Sequence, residues 1–159
     1  MTRRRLLSAL AALSLARPAA AAAASPERAD AVHRSDDEWR KRLTAAQYDV
    51  LRREGTEPPF SSPLNGEKRR GAYRCAGCEL ALFTSEQKFD SGTGWPSFTA
   101  ALPDGVATRT DYKLLFPRTE YHCARCGGHQ GHVFNDGPRP TGKRYCNNGI
   151  ALTFEPQGA

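Results

Sequence analysis

The sequence lacks most of what would mark a membrane, nucleic-acid-binding or repeat protein. No apolar run reaches the roughly 20 residues that a membrane-spanning helix needs; the candidate, Leu6 to Ala16, is too short. No basic tract is present beyond the first residues. The 23 Lys/Arg against 17 Asp/Glu give +6, but Arg3, Arg4, Arg5 and Arg17 fall in a leading segment without acids. Beyond it, 19 basic residues face 17 acidic ones, a balance of +2. Lys68-Arg69-Arg70 reads as a solvated loop, so the electrostatic footprint of a nucleic-acid-binding protein is missing. There is no βαβ pattern and no repeat apart from two matched cysteine pairs. At 159 residues the chain has room for one compact domain.

What is there begins with an expected export signal at 1–24. A basic start, a short apolar run and an alanine tract offering A-x-A cleavage positions follow the order of a removable signal. The arginine cluster before the leucines resembles a twin-arginine signal, with a general secretory signal or an uncleaved anchor as alternatives. A polar tether is expected over 25–34, followed by the domain at 35–157. Ser35 with Glu38, and Thr44 with Gln47, are reciprocal capping patterns and predict short helices over 36–43 and 45–53. Gly55 and Pro58-Pro59 end the second. From Gly71 the texture turns to short apolar or alternating runs punctuated by Gly, Pro, Asp and Asn. Examples are 72–75, 81–83, 106–109, 113–116 and 150–154. They predict an antiparallel β domain with a modest core that a metal staple would help.

The five cysteines divide into four and one. Cys75-x-x-Cys78 and Cys123-x-x-Cys126 share their internal spacing, and small residues and glycines surround each pair. Two such knuckles complete a tetrahedron of four thiolates, a donor set that favours one structural Zn²⁺. The rivals are disulfides, in an oxidising compartment, and a redox-active C-x-x-C of the thioredoxin kind.

Cys146 stands alone in Arg144-Tyr145-Cys146-Asn147-Asn148. A lone cysteine is commonly a buried structural residue. Here Arg144, two residues away, would share its face on a strand and could lower its pKa. Asn148 can donate a hydrogen bond. His129, His132 and Asp136 lie upstream in one short stretch. A thiolate, a cation and proton donors suit an attack that must expel a polar oxygen. The histidines could alternatively serve zinc. Trp95, between Gly94 and Pro96, is a core aromatic or a ligand-facing one.

Taken together, these segments resemble the methionine-R-sulfoxide reductase family, the type B enzymes. The resemblance runs from about Ser35 to Pro156. It includes Trp39-Arg40, Leu43-Thr44, Thr56-Glu57, Tyr73 to Cys78, Lys88 to Phe98, Gly131 to Phe134, Asp136 to Pro138, Thr141-Gly142 and Arg144 to Cys146. It implies a mainly β fold: two antiparallel β-sheets forming a small barrel-like or tent-shaped domain, short N-terminal helices and a zinc held by Cys75, Cys78, Cys123 and Cys126. It implies reduction of the R epimer of methionine sulfoxide in oxidised proteins. Cys146 would attack the sulfoxide sulfur and become a sulfenic acid. His129 and His132, with Asp136 close by, would help protonate the oxygen. Arg144 would favour the thiolate, Asn148 would orient polar groups, and Trp95 would pack on the substrate methyl.

One departure stands out. Where many members of that family carry a resolving cysteine, this chain has Thr93. The expectation is regeneration by an external thiol, a thioredoxin-like protein or a small thiol. The expected setting is the bacterial periplasm, as a monomer, with no nucleic-acid partner and no stable membrane insertion. The competing readings are a non-catalytic, zinc-stapled β domain that binds a partner and a general thiol–disulfide oxidoreductase.

Overall fold

A computed structural model describes residues 28–158; the expected export signal and the first residues of the tether lie outside the described residues. The two capping patterns do what their residues predict. Helix α1 (Asp36–Arg42) starts at Ser35, whose backbone N–H donates to Glu38 Oε2 at 2.8 Å while Glu38 N–H donates back to Ser35 Oγ at 3.4 Å. Helix α2 (Ala45–Arg53) starts at Thr44, with the same exchange at 3.1 and 3.2 Å with Gln47. Such boxes satisfy two of the N–H groups that a helix leaves unpaired. The residue that turns left-handed after α2 is Glu54, with φ 57°, one residue before the glycine. Trp39, Leu43, Tyr48, Val50 and Leu51 bury one face of this helix pair.

Among the described residues nine strands follow, all paired antiparallel. Strands β1 (Gly71–Cys75), β2 (Ala81–Thr84) and β9 (Leu152–Pro156) form a small sheet in the order β2-β1-β9. Strands β3 (Lys88–Phe89), β4 (Ser97–Phe98), β5 (Val106–Asp111), β6 (Arg118–Cys123), β7 (His129–Phe134) and β8 (Arg144–Asn147) form the larger one, in the order β3-β4-β8-β7-β6-β5. The core between the sheets is aromatic. Phe83 stacks on Phe98 with centroids 4.1 Å apart, and Tyr73 meets Phe98 edge-on at 4.9 Å. These rings, with Leu82 and Tyr121, are fully buried. Offset and edge-on pairs of this kind add about 0.5–1.5 kcal/mol each beyond their buried area.

Three expectations change. The run 113–116 is no strand but the exposed connection between β5 and β6. Asp111 accepts a hydrogen bond from Lys113 N–H at 2.8 Å, which turns the chain, and Pro117 has no N–H to give a ladder. The run at 150–154 becomes a strand only at Leu152, since Gly149–Ala151 is a single 3₁₀ turn. Finally, from Arg28 the expected tether lies against the body. Val32 N–H donates to Arg125 O at 2.8 Å, Arg125 Nε to Asp30 Oδ2 at 2.9 Å, and an Arg28 guanidinium nitrogen to Asp104 O at 2.7 Å.

Candidate active site and metal centre

The two knuckles converge. Cys75 ends β1, Cys123 ends β6, and Cys78 and Cys126 return on the turns that follow. Cys75 O accepts N–H bonds from Cys78 and Glu79, and Cys123 O accepts one from Gly127. Gly127 supplies the positive φ, 68°, that this turn needs. All four sulfurs lie within 4.8 Å of one another, with Cys75–Cys126 at 3.7 Å and Cys78–Cys123 at 3.4 Å. A disulfide would need about 2.05 Å, whereas four thiolates about 2.3 Å from one ion stand roughly 3.8 Å apart. Cys75 and Cys123 are fully buried and Cys126 nearly so. The set therefore fits a closed tetrahedral ion with no open coordination position.

Cys146 sits in the third position of β8, half-buried. Antiparallel pairing puts His132 of β7 directly opposite it and Ser97 of β4 on its other side. Gly131 is required beside it, because a Cβ there would come within 1.9 Å of the Cys146 carbonyl oxygen. Cys146 and His132 line a pocket of about 140 Å³ with Trp95, Asn148, Thr56, Phe134 and Arg118. The Trp95 indole is fixed by Nε1–H donating to Glu57 O at 3.0 Å.

Burial pushes the Cys146 thiol above its ordinary value of 9.0, and it outweighs three opposing influences: the Arg144 charge and the hydrogen bonds from Thr93 and from Arg144. The Asp136 carboxylate adds a smaller upward push. The expected lowering by Arg144 is thus present but does not win. Part of the reason is that Asp136 engages Arg144 on two sides, at 2.9 and 2.7 Å. The guanidinium also stacks 4.4 Å over the Phe134 ring. Ser91 Oγ lies 2.8 Å from Thr93 Oγ1 and 2.7 Å from Ser97 Oγ.

Each candidate histidine has a carboxylate, and neither carboxylate is Asp136. His132 Nε2 lies 2.8 Å from Asp111 Oδ2, which also takes Arg118 at 2.6 Å. Burial lowers the His132 pKa, and the Asp111 contact opposes this only in part. His129 is 3 % exposed; its Nδ1 lies 2.7 Å from Oε1 of the equally buried Glu120, and its ring is 5.6 Å from that of His132. Asn148 reaches the pocket, but its side chain also binds the backbone: Oδ1 accepts from Glu57 N–H and Nδ2 donates to Gln130 O, both at 3.0 Å. Glu57 in turn accepts from the N–H groups of Gly149 and Ile150.

The structure thus brings Cys146, His132, Trp95 and Asn148 into one pocket. It keeps Arg144 beside the thiol, places His129 one layer behind, and leaves Asp136 outside on Arg144. Sequence reasoning missed Asp111, Arg118, Glu120 and Gln130. The signal for Glu120 was weak, because the bulge between Tyr121 and His122 breaks the alternation that would mark an inward-facing acid.

Residues 43–156 match the SelR domain family. A peptide methionine sulfoxide reductase MsrB of Methanosarcina barkeri is 52% identical over 128 residues, 80% of this chain and 90% of that protein. The MsrB protein of Agrobacterium fabrum is 52% identical over 126 residues, covering 79% and 93%. A chloroplastic peptide methionine sulfoxide reductase B1 of Arabidopsis thaliana is 51% identical over 119 residues, covering 74% and 59%.

Proposed function

The chain belongs to the SelR domain family, and from that membership we propose how this peptide methionine (R)-S-oxide reductase carries its reaction on Cys146. The substrate is a methionine-R-sulfoxide side chain of an oxidised protein. Its methyl group packs on Trp95 and its sulfur approaches the Cys146 thiolate. Sulfur–sulfur attack lets the S=O oxygen pass to Cys146 while a proton is taken up. Methionine leaves reduced by two electrons, and Cys146 is left as sulfenic acid, oxidised by two.

His132 is the proton carrier at the pocket wall. Its ring is oriented by Asp111, as a base is oriented by a third group in other nucleophilic sites. His129, held by Glu120, stands behind it. Arg144 and the Thr93 hydroxyl stabilise the thiolate that burial disfavours. Asn148 keeps the polar wall of the pocket in place.

Thr93, whose hydroxyl favours the Cys146 thiolate, takes the place of an internal resolving thiol. The other cysteines sit in the metal cluster. A thioredoxin-like or small external thiol therefore attacks the sulfenic acid and releases water. A second thiol then frees Cys146 and leaves with the first as a disulfide.

Cys75, Cys78, Cys123 and Cys126 hold one structural zinc, which clamps β1 to β6. The basic start at Arg3 to Arg5 supports export of the folded, metal-loaded protein to the periplasm; cell fractionation of the full chain tests that step. A monomer completes the reading, and light scattering on the purified chain tests it.

The observation that carries the reading is the register that sets Cys146 opposite His132 in a pocket walled by Trp95. An assay on separated R and S sulfoxide epimers with dithiothreitol tests it, with turnover expected for R alone. Activity on neither epimer would defeat it.

A further inference from the structure

The pocket at Cys146 is small. At about 140 Å³ it lies well below the roughly 300–1,000 Å³ of a site that encloses a drug-sized ligand. It admits one side chain, so the residues flanking a methionine sulfoxide must rest on the surface around the mouth.

That surface is unusual for this molecule. Among the described residues the exposed large hydrophobic side chains are Phe60, Tyr112, Leu114, Leu115 and Phe116. Four of the five fall in the six-residue connection from β5 to β6, where Leu115 is 89 % and Phe116 74 % exposed. Scattered exposed hydrophobics are ordinary, but a contiguous run marks a contact surface. Both ends of the connection are built into the active site: Asp111 at one end binds His132, and Arg118 at the other lines the pocket and binds Asp111. Phe60 is tied to the Trp95 segment, its N–H donating at 2.7 Å to Gly94 O, the residue before Trp95. Apolar groups therefore flank the mouth on the His132 side and on the Trp95 side.

We propose that the 112–117 connection is a docking surface for the apolar residues that flank a methionine sulfoxide in an unfolded segment of an oxidised protein. Methionine is among the residues most often buried, so its neighbours in a core segment are themselves apolar. Oxidation to the sulfoxide disrupts such cores and exposes the segment. The charge pattern favours this occupant over an anionic lipid surface. Lys113 and Arg109 both pair with Glu54, and Arg118 pairs with Asp111. The tip thus offers apolar contact beside cations that already have partners.

The proposal rests on the reductase reading, and one experiment separates the two. Three substrates are compared with dithiothreitol as reductant: N-acetyl-methionine-R-sulfoxide amide, a peptide with the R-sulfoxide flanked by Leu and Phe, and the same peptide flanked by Ser. The full chain is compared with Leu115→Ser and with Leu114→Ser/Leu115→Ser/Phe116→Ser, all at solvent-exposed positions. The wild type should prefer the Leu/Phe-flanked peptide over the Ser-flanked one. The triple variant should lose about tenfold in kcat/KM on the Leu/Phe-flanked peptide through KM, and Leu115→Ser should lose part of that. Neither variant should change on the blocked amino acid. Equal kcat/KM for wild type and variants on the Leu/Phe-flanked peptide overturns the docking surface and leaves the reductase reading standing. A loss of the same size on the blocked amino acid overturns it too. A wild-type dimer, or binding to anionic vesicles, that the triple variant abolishes with peptide kinetics unchanged assigns the patch to another occupant and overturns it. No activity of the wild type on any substrate defeats the reductase reading itself.

Discussion

Gln130 Nε2 donates to Cys75 Sγ at 3.5 Å, and its Oε1 accepts from Asn147 Nδ2 at 3.3 Å. One fully buried amide therefore joins the four-cysteine cluster to the residue that follows Cys146. The relay continues to the Tyr121 hydroxyl, which donates to Asn147 Oδ1 at 2.7 Å. The Gln130 carbonyl also accepts both the backbone and the side-chain N–H of Asn148. The four-cysteine cluster and the strand that carries Cys146 are thus parts of one buried polar network, in which each group left unpaired carries a full desolvation penalty.

Gln130→Leu removes the donor from Cys75 and the acceptor from Asn147 while keeping similar volume. The expected loss is about 1–3 kcal/mol of stability, read as a lower denaturant midpoint, with faster transfer of zinc to a competing chelator. Gln130→Glu should be worse than Gln130→Leu, because a carboxylate would then face a thiolate. If both variants release metal at the wild-type rate, the link between amide and cluster has no energetic weight.

Cys146→Ser separates the two kinds of cysteine. Its sulfur is not among the four that converge, so the variant should keep one zinc per chain and the wild-type thermal midpoint while losing all turnover. Cys75→Ser should instead fail through the fold: metal is lost and the small aromatic core no longer holds β1 against β6. Stripping zinc from the wild type under mild denaturant should unfold it, since binding energy at a structural site is folding energy. Metal analysis with circular dichroism on the three samples checks this. Retention of fold by the metal-free protein would contradict it.

The helices were legible because capping is local. Ser35, Glu38, Thr44 and Gln47 carry their own partners three residues away, and the structure forms both boxes. The knuckles were legible for the same reason. The carboxylates behind the histidines were not. Asp111 lies 21 residues from His132 and Glu120 nine from His129, and only the β5-β6-β7 register brings them together. Asp136, near in sequence, turns instead to Arg144. The run 113–116 misled because an apolar run looks alike in a buried strand and in an exposed contact loop. A hydrogen bond from Lys113 N–H to Asp111 decides between them.

Acid should weaken the fold through these same carboxylates. Burial acts to raise the Glu120 pKa, but the His122 ring 3.6 Å away, the hydrogen bond from His129 and the Arg109 charge overcome it, so the group stays below its usual range. Asp111 is held low by the Lys113 amide first, then by His132 and Arg118. A carboxylate whose folded pKa is depressed binds more protons in the unfolded chain. The stability it contributes is present above about 4.5 and is lost as pH falls toward the folded value. His132, whose folded pKa is lowered chiefly by burial, acts in the same direction from about 6.5 downward. Thermal midpoints should therefore decline below pH 6.5 and fall faster below 4.5. Glu120→Gln should flatten the lower limb. An unchanged acid limb in that variant would remove Glu120 as its cause.

The reactivity of Cys146 should respond with opposite signs to its neighbours. Because burial sets the thiol above 9.0, the alkylation rate of the free protein should still be rising at pH 9. The four clustered thiols should stay silent. Arg144→Gln deletes both a charge and a hydrogen bond that favour the thiolate, so its midpoint should move higher and turnover at neutral pH should fall by about tenfold or more. Thr93→Val deletes one hydrogen bond and should move it higher by less. Asp136→Asn removes a carboxylate that disfavours the thiolate and releases Arg144 toward it, so its midpoint should move lower. Iodoacetamide rates across pH on the four proteins, with Cys146 identified by mass spectrometry, decide the matter. A shift of Asp136→Asn in the same direction as Arg144→Gln would show that Asp136 acts by holding the guanidinium against the thiol rather than by drawing it away.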